Sequence, residues 1–123
     1  FFGLQGRLKR CRESRHPLVL AALGAIRHRY QEPLKLETVA REQFVNAAYL
    51  GRLFHAQTGQ SFRDALTEER MRQADRLLRQ KTSVSAAAAA VGYDDPNYFS
   101  RVYKKYFGYP PSESSSAPSQ QVQ

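Results

Sequence analysis

The 123-residue sequence predicts an all-α fold: two homeodomain-like helix-turn-helix subdomains joined by a long linker helix, about seven helices in all. Three observations carry this. Apolar residues recur at helical spacing along most of the chain, and no alternating strand pattern interrupts them. Cap and breaker residues divide that periodicity into short segments. The chain also repeats itself: NAAYLGRLFHAQTGQSF, Asn46 to Phe62, aligns with DPNYFSRVYKKYFGYPP, Asp95 to Pro111, at a constant offset of 49 residues.

The elements follow in order. Leu18, Val19, Ala22, Leu23, Ile26 and Tyr30 mark the first helix, and Leu36, Val39, Ala40 and Phe44 a short second one. Asn46 can cap a third, through Tyr49, Leu50, Leu53 and Phe54, which stops at Thr58-Gly59. Ser61 can cap a long fourth with Phe62, Ala65, Leu66, Met71, Ala74, Leu77 and Leu78 as its stripe. Ser83 or Ser85 opens a fifth, the alanine run, ended by Gly92. Asp95-Pro96 pairs a cap residue with a proline suited to the first helical position, and the sixth helix it opens ends at Gly108. Pro110-Pro111 opens a last short turn, and the polar tail that follows is expected to be disordered. Upstream of the repeat, Val39-Ala40 matches Ala87-Ala88 at an offset of 48, so the second turn carries one extra residue. Each copy is a short helix, a turn and a longer helix, the outline of a helix-turn-helix.

The sixth helix poses the functional question, because aromatic and basic residues alternate along PNYFSRVYKK. Tyr98, Phe99, Val102, Tyr103, Tyr106 and Phe107 fall on one continuous stripe, which is core spacing rather than a stacking platform. Asn97, Ser100, Arg101, Lys104 and Lys105 share the opposite face. That face is an ordinary solvated surface or a contact surface, and the repeat favours contact: Arg52 holds the position in the third helix that Arg101 holds in the sixth.

Charge points the same way. Lys and Arg outnumber Asp and Glu 19 to 11, a formal net charge of +8 and the footprint of a polyanion binder. A recognition helix fits the major groove of duplex DNA, where an Arg can donate twice to guanine, while lysines later in the helix meet phosphates. The linker helix, about 27 Å long at roughly 1.5 Å per residue, suits two recognition helices about 34 Å apart, one DNA turn. A stiff linker would make the DNA bend, at a cost of order 1–6 kcal/mol. Two other readings compete: a protein-interaction module contacting RNA polymerase or a partner domain, and a non-specific nucleic-acid binder.

VAREQFVNAAYLGRLFHAQTGQSF, RMRQADRLLRQ and VGYDDPNYFSRVYKKYFGYPPSE resemble the DNA-binding domain of the AraC/XylS family of bacterial transcription regulators, over about Leu18 to Glu113. NAAYLGRLF and GYDDPNYFSRVYKK are most similar to the response-regulator branch, in which a receiver domain precedes this module. The resemblance implies a DNA-binding domain over residues 18–115. Its first helix-turn-helix covers about 36–57, its linker helix about 61–80 and its second helix-turn-helix about 84–107. Residues 1–17 are then a linker or the tail of an upstream domain, and 116–123 a disordered tail. The family's base-reading places fall on Ala48, Gly51 and Arg52, and on Pro96, Asn97, Ser100 and Arg101; the DNA-backbone contacts expected beside them are Asn46, Tyr49, Ser61, Tyr98, Lys104 and Lys105. The implied partner is double-stranded DNA; contact with RNA polymerase belongs to the competing reading above and is compatible with it.

The sequence departs from the family in three places. Ala48 and Gly51 lack hydrogen-bonding side chains, which leaves the first recognition helix Arg52 and a thymine-methyl contact by Ala48. Ala86, Ala89 and Ala90 stand where related sequences carry charge. Ser114 and Ser115 follow Glu113 where the family has an aromatic and a basic residue, so a weaker or shorter final helix is expected.

Other chemistry has little support. His16, His28 and His55 are scattered without metal-ligand spacing, no Gly-rich phosphate loop follows a strand, and Cys11 has no base partner. Glu68-Glu69 and Asp94-Asp95 read as helix-surface and capping residues. The expectation is a protein that is not an enzyme, without cofactor or metal. The single cysteine fits a reducing, cytoplasmic location. The basic stretch Arg7 to Arg15 reads as a linker rather than an auxiliary phosphate contact, and the absence of an initiator Met suggests a piece of a longer chain.

Overall fold

The computed structural model describes residues 16–116. Among these residues it holds six α-helices, a terminal 3-10 helix and no strand. The helices are α1 (Pro17–Arg29), α2 (Leu36–Glu42), α3 (Ala47–Thr58), α4 (Phe62–Arg79), α5 (Val84–Ala90) and α6 (Pro96–Phe107), and the 3-10 helix covers Pro111–Ser116. Two compact units divide within α4, after Glu69.

The sequence repeat is a backbone repeat. Helices α2 and α5 have 7 residues each, and α3 and α6 have 12 each. The turn bond from the Val45 N–H to the Ala40 carbonyl, 2.9 Å, recurs from Tyr93 to Ala88 at 2.9 Å. Gly59 and Gly108 end the two longer helices in the left-handed conformation, at φ 83° and 84°, where a side chain would be strained. The caps are those the sequence offers. The side chains of Asn46, Ser61, Ser83 and Asp95 accept from the backbone N–H groups of Tyr49, Asp64, Ala86 and Asn97 at 2.9–3.1 Å. Each such cap is worth about 1 kcal/mol.

In the first unit, Val19, Ala22 and Ile26 of α1 cluster with Leu34, Val39, Ala40, Leu50, Phe54, Phe62, Ala65 and Leu66. Phe54 meets Phe62 edge-on, with centroids 5.8 Å apart. The Gln60 amide donates to the buried Glu68 carboxylate at 2.9 Å. At the surface Arg29 joins the ends of α1 and α2 by pairing with Glu42 at 2.8 Å, and it also reaches Glu32 at 3.1 Å. The hydrogen bond to Arg29 holds the Glu42 carboxyl below its ordinary range.

In the second unit Met71, Ala74, Leu78, Ala87, Ala88, Val91, Phe99, Tyr103 and Phe107 are buried. The rings of Phe99, Tyr103 and Phe107 pack in sequence along α6, 5.9 and 4.4 Å between centroids. A buried carboxylate, Asp75 of α4, gathers three donors: the Tyr103 hydroxyl at 2.9 Å, the Ser114 hydroxyl at 3.4 Å and Arg79 Nε at 3.0 Å. Burial raises the Tyr103 phenol far above its ordinary value, so it is a neutral donor.

Four sequence expectations need correction. Phe44 is not part of the second helix. It follows α2 in the left-handed conformation, φ 59°, and is 95% exposed. Its counterpart at the 48-residue offset is Gly92, φ 101°. The turn geometry therefore takes precedence over the helical spacing of an apolar side chain. Pro17 belongs to α1 rather than to a linker: it stands in the first turn, and His16 Nδ1 caps the helix by accepting from the Leu18 N–H at 3.2 Å. The α6 stripe is narrower than expected, because Tyr98 at its edge is 42% exposed while Phe99, Tyr103 and Phe107 are buried. Glu68, expected on the helix surface, is buried and accepts from the Gln60 amide. The last turn is short, as expected: a 3-10 helix through Ser116, in which Ser114 is buried against Asp75. The expectations for residues 1–15 and 117–123, Cys11 and the Arg7 to Arg15 stretch included, lie outside the described residues.

Candidate nucleic-acid interface

Helices α3 and α6 each bury one stripe and expose the other. On α3 Ala48, Arg52, His55 and Ala56 are among the exposed positions; at the 49-residue offset α6 exposes Asn97, Arg101, Lys104 and Lys105. A side chain three or four residues on shares a helix face, so each set forms one row. Among the described residues the side chains of Arg52, Lys104 and Lys105 have no ion-pair or hydrogen-bond partner. They are cations left available to an external anion.

The remaining expected positions divide into scaffold and surface. Asn46 and Ser61 spend a side-chain oxygen on capping, which leaves the Asn46 amide N–H groups and the Ser61 proton to donate outward. Pro96 occupies the first turn of α6, half-buried, and Ser100 is half-buried one turn later. A Cβ at Gly51 would lie 3.0 Å from Cδ2 of Leu36, so this glycine is where α3 approaches α2 closely, and it offers only backbone. Tyr49 is 45% exposed in the first turn of α3 and holds the place of Tyr98. The Arg101 guanidinium carbon lies over the Tyr98 ring, 5.6 Å from its centroid.

One position was passed over by sequence reasoning. His55 is exposed and equivalent to Lys104. The repeat register would have found it; reading the histidines only as scattered metal ligands concealed it.

Comparisons with known proteins agree with this architecture. The helix-turn-helix domain family matches residues 39–116. The transcriptional regulatory protein YesN of Bacillus subtilis is 42% identical over 84 residues, which is 65% of this chain and 23% of that protein. The C-terminal domain of AraT, a response regulator from Geobacillus stearothermophilus, superposes with a TM-score of 0.81 at 33% identity, over 89% of this chain and 95% of that one. The DNA-binding domain of the global transcriptional factor AdpA, solved in complex with a target DNA, gives a TM-score of 0.74 at 26% identity over 84% and 93%. The chain belongs to the AraC-type helix-turn-helix family, whose fold is that of DNA-binding transcription regulators rather than enzymes. It spans about a quarter of the length of YesN. Among the described residues no helix is long and apolar enough to cross a membrane, and no three His, Cys, Asp or Glu side chains gather into a metal site.

Proposed function

We propose that the chain is a sequence-specific duplex-DNA-binding domain of a bacterial transcription regulator, which inserts α3 and α6 into successive major-groove segments. The observation that carries this is the repeat. Two 12-residue helices with equivalent caps present Arg52 and Arg101 at equivalent exposed positions. The AdpA domain, of like fold, is described with its target DNA. Arg52, Asn97, Ser100 and Arg101 supply hydrogen bonds to base edges, and Ala48 an apolar contact to a thymine methyl. Gly51 and Pro96 let the backbone approach. Asn46, Tyr49, Ser61, Lys104 and Lys105 face phosphates, which position the protein without specifying sequence. The domain works in the cytoplasm as the output end of a response regulator, behind a receiver or other sensor domain, and contact with RNA polymerase is a further role of its exposed faces.

The test is selection of bound duplexes from a randomised pool at two salt concentrations. Two short motifs about one helical turn apart support the reading. Arg52→Ala and Arg101→Ala should each relax preference within one motif. Lys104→Ala should weaken binding evenly and reduce the salt slope by about 1. Binding without enrichment, lost steeply as salt rises, would leave only a non-specific polyanion binder.

A further inference from the structure

Arg101 differs from Arg52 in having a seat. Its guanidinium lies over Tyr98, and Tyr98 packs against Tyr93 with centroids 5.9 Å apart. Tyr93 in turn contacts the buried Phe99 at 5.6 Å, and Arg70 of α4 lies 5.3 Å from the Tyr93 centroid. Two adjacent rings, flanked by a cation at each end, thus run from α4 through the turn to the outer face of α6. The first unit has no counterpart: Val45 stands where Tyr93 does, and no ring contact joins Arg52 to Tyr49 among the described residues.

The direction of the seat matters. Tyr98 lies three residues before Arg101, and helical side chains lean towards the N-terminus of their helix. The ring therefore holds the guanidinium near the N-terminal end of α6, the part of a recognition helix that reaches base edges. A free Arg must give up much of its rotamer freedom to make a two-pronged contact with guanine. A guanidinium already held over a ring has lost part of that freedom before DNA arrives.

We propose that Tyr98, braced by Tyr93 and Arg70, is a positioning residue for Arg101: an aromatic platform that sharpens base discrimination in the second unit rather than a phosphate contact through its hydroxyl. This rests on the reading that α6 enters the major groove. Removing the platform should cost roughly two- to five-fold in discrimination, the worth of an exposed cation–π contact. It should do so only at the base pair that Arg101 reads. Removing Arg101 should cost more at that same base pair, roughly 5- to 150-fold.

The experiment uses the selected duplex and its single-base-pair variants in competition binding, with Tyr98→Leu, Tyr98→Phe and Arg101→Ala, each checked for an unchanged melting curve. Tyr98→Leu should lose discrimination at the Arg101-dependent position alone. Tyr98→Phe, which keeps the ring, should retain it. In the free wild-type protein the Arg101 Nε–H signal should be displaced by the ring relative to that of Arg52, and Tyr98→Leu should remove the displacement. An even loss of affinity in Tyr98→Leu, an equal loss in Tyr98→Phe, or an Arg101 signal that ignores the ring would overturn the platform. Unchanged preference in Arg101→Ala would overturn the groove reading of α6 itself, and the platform's part in specificity with it.

Discussion

Asp75→Ala tests what holds α6 in place. In the native protein the Tyr103 hydroxyl donates to Asp75 at 2.9 Å, and the phenol is fully buried. Its bond to a charged acceptor is worth about 1.5–3 kcal/mol, and losing Asp75 leaves the phenol without that acceptor in the core. The Ser114 contact at 3.4 Å is long and adds little. The Arg79 pair adds little either, because the Arg79 side chain is 36% exposed and solvent screens it. The sum is a loss of about 2–4 kcal/mol, which lowers the unfolding midpoint by about 10–20 °C. Tyr103→Phe breaks the same bond but orphans no buried donor, and should cost about 1–2 kcal/mol. The double variant removes both partners, so its loss should fall short of the sum by about 1–2 kcal/mol. Urea unfolding of the four proteins supplies the cycle. Additive losses, with a coupling under about 0.5 kcal/mol, would refute the claim that this bond anchors the second unit.

The same phenol makes stability sensitive to alkali. Burial raises the Tyr103 pKa, so its contribution is complete below about pH 10 and is lost as pH rises further, when the unfolded chain ionises and the folded one does not. Melting curves between pH 8 and 11 should fall less steeply for Tyr103→Phe, and parallel curves would exclude the phenol as the cause. Phe44→Gly removes a side chain from a left-handed turn that contacts little of the protein, and should stabilise by about 0.5–1 kcal/mol; Phe44→Val should destabilise. A loss of stability in the glycine variant would show that the ring makes contacts of value.

Local features of this fold were legible because local rules govern them. A cap needs only the residue and the N–H groups two or three positions on, so Asn46, Ser61 and Asp95 could be placed from spacing, and the cap of α5 narrowed to Ser83 or Ser85, of which the structure uses Ser83. The helical stripes and the repeat follow from periodicities that a sequence displays directly. Polar pairing across the chain does not. Asp75 meets Tyr103 and Ser114 over 28 and 39 residues, and nothing in the spacing of those residues announces it. The serine after Glu113 therefore looked like a lost aromatic, whereas it fills a buried polar site. Phe44 was misread for the opposite reason. Its helical spacing was visible, but so was its register with Gly92, and a left-handed turn position outranks hydrophobicity there. The ring seat of Arg101 is not legible in the sequence, because an exposed Tyr one turn before an Arg is compatible with several rotamers.

The two units share a backbone and differ in what they display, and this makes their roles exchangeable in principle. At equivalent positions α3 offers Ala48, Gly51 and Arg52 where α6 offers Asn97, Ser100 and Arg101. If these side chains rather than the scaffold set the preference, Ala48→Asn with Gly51→Ser should carry the α6 preference onto the α3 half-site. The fold should accept both changes. Ala48 is exposed, and the Cβ added at Gly51 meets only the end of the Leu36 side chain, at 3.0 Å, which must yield by a few tenths of an ångström. Serine in place of a mid-helix glycine favours the helix by a few tenths of a kcal/mol, which offsets much of that shift. An Asn bidentate to adenine is worth about 1–3 kcal/mol, so the grafted helix should prefer one base pair by roughly tenfold where the parent was tolerant. Selection from a pool randomised only in the α3 half-site would show it. An unaltered motif from a protein that melts normally would mean that the α3 face does not lie against bases at all. The transfer should also be incomplete, because Val45 cannot brace Tyr49 as Tyr93 braces Tyr98. Discrimination by Arg52 should stay below that of Arg101 until an aromatic is placed at Val45 as well.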